Sequence, residues 1–297
     1  MGYLSILEMC GLNALLALSV YATFMVGQFS LAQVGFWSIG AYATGMLTSL
    51  FGVQLLPSLL ISACGCAFIG LLLGYPCLRI RGIYLALATV GFSEVVRVFF
   101  HNFSYQVDVN GILLGPGGAL GFRGIHVLTG WPQILIALVI VVAAFALLER
   151  SRIGLSAKAI RADEVAAACA GIDVVSIKVG MFAFGAFIAG VGGGLYATYL
   201  SFVNADNFGF HLALISIFFV AVGGSERFFG PLIGAVVLTI LPETLRIFGD
   251  YRMIVDGLIV LFIAILFPRG LEGEFWSRLE NAWHRVTNNR RVSMERR

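Results

Sequence analysis

Apolar residues fall in long runs, at about Ile6 to Val26, Leu31 to Phe51, Leu55 to Tyr75, Ile83 to Phe100, Ile134 to Leu148, Val179 to Leu200, Leu212 to Val222, Phe228 to Phe248 and Met253 to Phe267. Only helices and closed barrels satisfy their backbone groups in lipid, and a crossing helix needs roughly 20 apolar residues. Runs of this length with few internal charges predict helices, since barrel strands would alternate in short segments. Two runs are irregular. Leu31 to Phe51 contains Gln33, Gly35, Ser38, Gly40 and Gly45, and Leu212 to Val222 is short, so broken or re-entrant helices are expected at both. The pattern predicts an all-α, polytopic integral membrane helical bundle with about eight or nine transmembrane or partly re-entrant segments.

A charged island, Glu149 to Lys178, interrupts the pattern between two of these runs. Its Ala-rich heart, Ala157 to Ala170, has high helix propensity, with Asp163 and Glu164 interrupting and Gly171 placed to end the helix. A short amphipathic helix held between two spans could transmit force if a partner grips it. The alternative is an ordinary charged loop. A second polar stretch, His101 to Trp131, contains the turn-forming Gly115-Pro116-Gly117-Gly118. It reads as an outer loop that caps an entrance, docks a partner or simply connects two spans.

Composition supports a membrane location: 59% of residues are hydrophobic, 12% are charged and the mean hydropathy is +0.94, beyond what one soluble core of this size needs. The 36 glycines fit close helix packing in lipid, notably Gly70-x-x-x-Gly74, Gly190-x-x-x-Gly194 and Gly230-x-x-x-Gly234. The five cysteines, Cys10, Cys64, Cys66, Cys77 and Cys169, read as small buried hydrophobes because they lie in or beside apolar runs without paired His spacing. The first basic residue is Arg79, so the first run is expected to be retained as a span.

Charge also suggests sidedness. Of 19 Lys and Arg, 15 lie at Arg79 and Arg81, at Arg150, Arg152, Lys158, Arg161 and Lys178, at Arg227, and among the seven arginines from Arg269 to Arg297. Alternating crossings place all four groups on one side, which the positive-inside rule makes cytoplasmic, with the C-terminus there. Arg97, Arg123, Arg246 and Arg252 then fall at or near the outer face. The expected organisation is a transmembrane domain over 1–267, with the island at about 149–178, and a basic cytoplasmic tail over 268–297. In the tail, Trp276, Trp283 and the arginines are suited to the lipid surface.

Catalytic signatures are missing. The only lysines, Lys158 and Lys178, stand outside any phosphate-binding G-x-x-x-x-G-K-[ST], and neither H-E-x-x-H nor G-x-S-x-G occurs. No enzyme activity, metal or cofactor is expected. Polar side chains inside spans are candidates for a translocation path: Gln28, Ser30, Gln33 and Ser38 on the irregular second segment, and Thr89 and Ser93 on the fourth. Interhelical hydrogen bonding without solute contact is the competing role for each. Glu94 with Arg97, and Arg252 with Asp256, are spaced to pair within a helix.

Glu164-Val165-Ala166-Ala167-Ala168-Cys169-Ala170-Gly171 is similar to the Glu-Ala-Ala type coupling loop of ABC importer permeases. Together with Arg161-Ala162-Asp163-Glu164, Gly171-Ile172 and Lys178, it resembles the branched-chain amino acid permease family. Further stretches agree in the same order: Gly27-Gln28-Phe29-Ser30-Leu31-Ala32-Gln33 leading to Ile39-Gly40-Ala41-Tyr42, Leu78-Arg79-Ile80-Arg81-Gly82-Ile83-Tyr84-Leu85-Ala86, Ala189-Gly190 to Gly194-Leu195-Tyr196-Ala197, and Phe267-Pro268-Arg269-Gly270-Leu271. Two departures stand out. Gln33 replaces a His common in relatives, and Glu226 and Arg227 put a charge pair between Gly-Gly and Gly-Pro marks that usually flank small residues.

The resemblance implies the permease subunit of an ATP-driven importer for branched-chain amino acids in a bacterial inner membrane. It implies coupling to ATPases through Arg161, Ala162, Asp163, Glu164, Ala167 and Gly171. Its implied partners are two ABC ATPase subunits, a second related permease as a heterodimer, an extracytoplasmic substrate-binding protein and membrane lipid, with no nucleic acid. Alternatives are a urea or short-amide permease on the same scaffold, an ion-coupled secondary transporter, and a structural subunit with no pore of its own.

Overall fold

A computed structural model describes residues 3–77, 80, 82–109, 112–125, 129–244, 257 and 270. In chain order its elements are α1 (Tyr3–Phe24), α2 (Gln33–Ser49), α3 (Leu55–Cys77), α4 (Ile83–Asn102), β1 (Val107–Val109), β2 (Ile112–Pro116), β3 (Phe122–Arg123), α5 (Trp131–Arg150), α6 (Arg152–Ala162), α7 (Glu164–Cys169), α8 (Val174–Leu200), β4 (Phe202–Val203), α9 (Phe210–Gly223) and α10 (Phe229–Thr244). Eight of the nine apolar runs become helices, and the ninth, Met253 to Phe267, lies outside the described residues except for Gly257. Among the described residues five helices are long and apolar enough to cross a membrane: Leu4–Phe24 of α1, α3, α4, α5 and α8. The helices α9 and α10 are apolar but shorter, and α2 is buried along most of its length.

Small residues allow α1, α2 and α3 to close on α8. A Cβ on Gly193 would strike the Trp37 carbonyl of α2, one on Gly40 would strike the Gly190 carbonyl, and Gly190 itself faces Ala63 and Cys66 of α3. Gly185 faces the Ser19 carbonyl of α1, and Gly70 of α3 faces Ala183 and Ala186. Where neighbours and lipid are equally apolar, close packing is what holds helices together. The same device joins α9 to α10, where Gly223 lies against Gly230 and Gly234 against the Phe219 carbonyl. The helix α10 then leans on α1, with Asn13 Nδ2 donating to Thr239 Oγ1 at 2.9 Å.

The stretch expected to be an outer loop forms a small antiparallel sheet in the order β1-β2-β3-β4, pairing Val107 with Leu114, Gly115 with Arg123 and Phe122 with Val203. Strands of two to five residues carry too little alternation to register as a pattern. Phe122 is fully buried and packs against Gly45 and Tyr42, fixing the sheet to α2. The cysteines also differ from expectation. All five are free thiols, but only Cys66 is buried, Cys10 and Cys77 are half-buried, and Cys64 and Cys169 are exposed.

The chain ends of α1, α5 and α9 meet at one end of the bundle, where the end of α6 joins them. The sheet and the segment 201–209 lie at the other, where Arg97 and Arg123 also fall. Lys158 and Arg161 fall at the first end. The expected basic tail, 268–297, lies outside the described residues except for Gly270.

Candidate coupling loop and polar break

Between α5 and α8 the island folds as two helices rather than one. Asp163 ends α6 in an extended conformation and caps α7, its carboxylate accepting from the Val165 and Ala166 amides at 2.8 and 3.0 Å. An aspartate in this position satisfies amides that have no partner within the helix, which favours a new start over continuation. Ser151 caps α6 through the Gly154 amide at 3.2 Å, and Asp173 caps α8 through the Ser176 amide and hydroxyl at 3.2 and 2.6 Å. Those Ser176 bonds hold the Asp173 carboxyl below its usual range.

The exit from α7 depends on Gly171. The Ile172 amide reaches back to the Ala167 carbonyl at 3.1 Å and the Gly171 amide to Ala168 at 3.0 Å, with Gly171 at φ +82°. This is the paired termination that left-handed glycine favours. Glu164, in the first turn of α7, meets Lys178, in the second turn of α8, at 2.8 Å. Lys178 is buried, so this contact fastens the short helix to the bundle. Of α7 only Ala167 is buried, while Val165, Ala166 and Cys169, with Ala162 before them, form an exposed face of small apolar side chains.

The loop is joined to the bundle through Arg161, one of the expected coupling residues, and through Glu149, which sequence reasoning did not single out as a site. Glu149, near the end of α5, accepts from Tyr21 Oη of α1 at 2.7 Å and from the Phe228 amide at 3.1 Å, with Lys158 of α6 at 3.7 Å. Arg161, next to last in α6, donates through both guanidinium Nη atoms to Ser225, one to its carbonyl and one to its hydroxyl, the latter at 2.8 Å. Arg161 also packs on the Gly27 turn that ends α1, and Gly270 lies against Gly224. The clue to Glu149 was a carboxylate closing a long apolar run, a costly place for an anion unless several donors meet it there.

The candidate path residues surround a break between α1 and α2. Gly27 at φ +73° turns the chain, with the Gln28 amide bonded to the Thr23 carbonyl and the Gly27 amide to Phe24, both at 3.0 Å. The following segment is buried apart from Phe29. Thr89 Oγ1 accepts from the Leu31 amide at 3.0 Å and Ser93 Oγ donates to the Leu31 carbonyl at 2.9 Å, so α4 satisfies both polar groups of one non-helical residue. Ser30 Oγ accepts from the Ala32 amide at 3.3 Å. Non-helical backbone survives at membrane depth only with such partners or beside a water-filled cavity.

Gln33, Gln28 and Ser38 behave differently. Gln33 and Ser38 are fully buried, and neither amide atom of Gln33, nor Gln28 Oε1, nor Ser38 Oγ has a hydrogen-bond partner among the described residues. Gln33 lies beside Gly185 of α8, where a Cβ would come within 2.8 Å of Nε2. Gly185 is eleven residues past Val174, which sets Gln33 about 16 Å from the start of α8. The structure therefore places Thr89, Ser93 and Ser30 on the broken backbone, while Gln28, Gln33 and Ser38 keep unused polar atoms.

At the opposite end, Arg97 bonds Glu94 at 2.7 Å and Asp206 at 2.8 Å, tying α4 to the segment before α9. Asp256 and Arg252 lie outside the described residues. A cavity of about 570 Å3 opens between α1, α5 and α10, lined mainly by apolar side chains such as Leu7, Ile134 and Leu232, with Glu8 and Glu243 at its margin. None of the candidate path residues lines it.

The branched-chain amino acid transport system / permease component family matches residues 2–264. The high-affinity branched-chain amino acid transport system permease protein LivM of Escherichia coli (strain K12) is 30% identical over 292 residues, covering 88% of this chain, and the protein of the same name from Salmonella typhimurium aligns equally. The chain spans 66% of the length of these relatives, just under two thirds. The ribose import permease protein RbsC of Escherichia coli (strain K12) is 24% identical over 278 residues, covering 88% of this chain and 84% of that protein. No solved structure matches. With nearly its whole length matched by one family, a mostly helical bundle and five helices fit to cross a membrane, the chain belongs to the branched-chain amino acid transport system / permease component family.

Proposed function

We propose that this chain is the membrane-embedded permease subunit of an ATP-driven importer for branched-chain or related hydrophobic amino acids, with ATP hydrolysis carried out by separate ATPase subunits. The observation that carries the reading is the face of α7 formed by Val165, Ala166 and Cys169. These residues are exposed on a helix whose every end is capped and whose base is fastened by Lys178. A rigid, small-residue surface outside the bundle suits a partner that grips and moves it. Arg161, Ala162, Asp163, Glu164, Ala167 and Gly171 shape that handle.

On this reading the handle and the C-terminus face the cytosol of a bacterial inner membrane, on the side chosen by the basic residues. Two ATPase subunits engage it, a second related permease completes the pathway as a heterodimer, and an extracytoplasmic binding protein delivers the solute. Residues 1–267 form the permease domain and 268–297 a basic tail on the lipid surface. Gln28, Gln33 and Ser38 offer the solute path its free polar atoms, with Ser30, Thr89 and Ser93 shaping the break beside them.

The test is uptake of radiolabelled leucine into proteoliposomes holding the complex purified from its native membrane, with ribose and urea as comparison solutes. Leucine uptake that requires ATP, and that Gly171→Trp abolishes while the variant still inserts, is expected. Uptake by this chain alone, or uptake driven by an ion gradient without ATP, contradicts the reading.

A further inference from the structure

We propose that Glu149 and Arg161 form a two-point clamp on the turn between α9 and α10, through which movement of α6 is passed directly to α9, α10 and α1; this rests on the importer reading above. The turn is held twice, at Ser225 by the Arg161 guanidinium and at the Phe228 amide by the Glu149 carboxylate. The two anchors stand at the two ends of one unit, since Glu149 closes α5 just before α6 begins and Arg161 closes α6. Lys158, between them on α6, faces Glu149 at 3.7 Å.

Electrostatics shows why Glu149 is held so firmly. Its side chain is only 12% exposed and stands at a helix C-terminus, where the helix dipole opposes an anion. The Tyr21 hydroxyl and the Phe228 amide, from two different elements, share its Oε1. Bonds from neutral donors to a buried carboxylate are among the stronger ones, so separating the partners is costly and the elements move together. Arg161 is oriented the opposite way, a cation at a helix C-terminus whose planar fork matches a carbonyl and a hydroxyl on one residue.

Packing extends the connection. Gly223 and Gly234 lock α9 to α10, Asn13 bonds α10 to α1, and Tyr21 returns from α1 to Glu149, closing a ring of contacts that does not pass through α8. The loop thus has two outlets: one through Lys178 into α8, and one through the clamp into α1, α9 and α10. Glu149, Arg161 and Tyr21 are positioning residues in this account, acting on helices and not on solute.

The experiment measures leucine moved per ATP hydrolysed in proteoliposomes of the complex, for the wild type and for Glu149→Ala, Tyr21→Phe and Ser225→Ala, the last removing the hydroxyl that Arg161 holds. The expected result is that the ATPase subunits remain bound and hydrolyse ATP while the transport ratio falls, about tenfold where one charge-assisted bond is lost. Tyr21→Phe decides the matter should Glu149→Ala fail to fold, because it leaves the carboxylate its other donors. An unchanged ratio in Tyr21→Phe and Ser225→Ala overturns the clamp, as does loss of the bound ATPase, which would make these residues part of the docking surface. Absence of ATP-dependent uptake in the wild type overturns the importer reading itself, and is distinguished by appearing before any substitution.

Discussion

Gly171 separates conformational cost from packing cost. It adopts φ +82°, yet a Cβ built on it meets nothing within 4 Å. An L side chain in the left-handed region costs roughly 1–2 kcal/mol, so Gly171→Ala should destabilise the loop by about that amount. Gly180 on α8 also faces open space but is helical, and Gly180→Ala should be neutral or slightly stabilising. Limited proteolysis of the 149–178 segment, read for both variants, checks the contrast; equal protease sensitivity would show that the turn does not need a glycine. Asp163 supplies a second residue-scale case. Removing its cap with Asp163→Ala should cost about 1 kcal/mol and allow α6 and α7 to fray, visible as faster hydrogen exchange at Val165 and Ala166.

Among elements, the pairing of α2 with α8 is the contact most sensitive to size. Trp37 of α2 fills the space that Gly192 and Gly193 leave, and any side chain at 193 would press on the Trp37 carbonyl. Gly193→Val should force the helices apart and cost at least about 1–3 kcal/mol, the usual scale for overpacking. Gly65→Ala on α3, facing open space, should be tolerated. Thermal stability in detergent compares the two, and similar melting temperatures would contradict the packing described. Helix positions were legible from the apolar runs because span length and charge exclusion are coarse properties that survive irregular packing. The split of the island was not, since an Ala-rich stretch favours one helix and only the geometry of Asp163 shows that its side chain competes. Thr89 and Ser93 were found as polar residues in a span, but their bonds to Leu31 depend on two distant segments meeting, which spacing along one helix cannot reveal. The sheet was invisible for a related reason, being made of strands too short to show a period.

On the scale of the whole molecule, one end of the bundle gathers the loop, the Gly27 turn and the α9–α10 turn, while the other carries the small sheet. Family membership accounts for the bundle; the sidedness and the motor that moves it belong to the proposal. Cys169 provides a direct probe, being an exposed thiol at the end of α7 beside Gly171. Membrane vesicles of either orientation are treated with a membrane-impermeant maleimide, with and without the co-purifying ATPase subunits, and the labelled peptide is identified by mass spectrometry. The account predicts labelling of Cys169 only in inside-out vesicles and protection of it when the ATPase is bound. Labelling from the outer face, or labelling that the ATPase leaves unchanged, would contradict it.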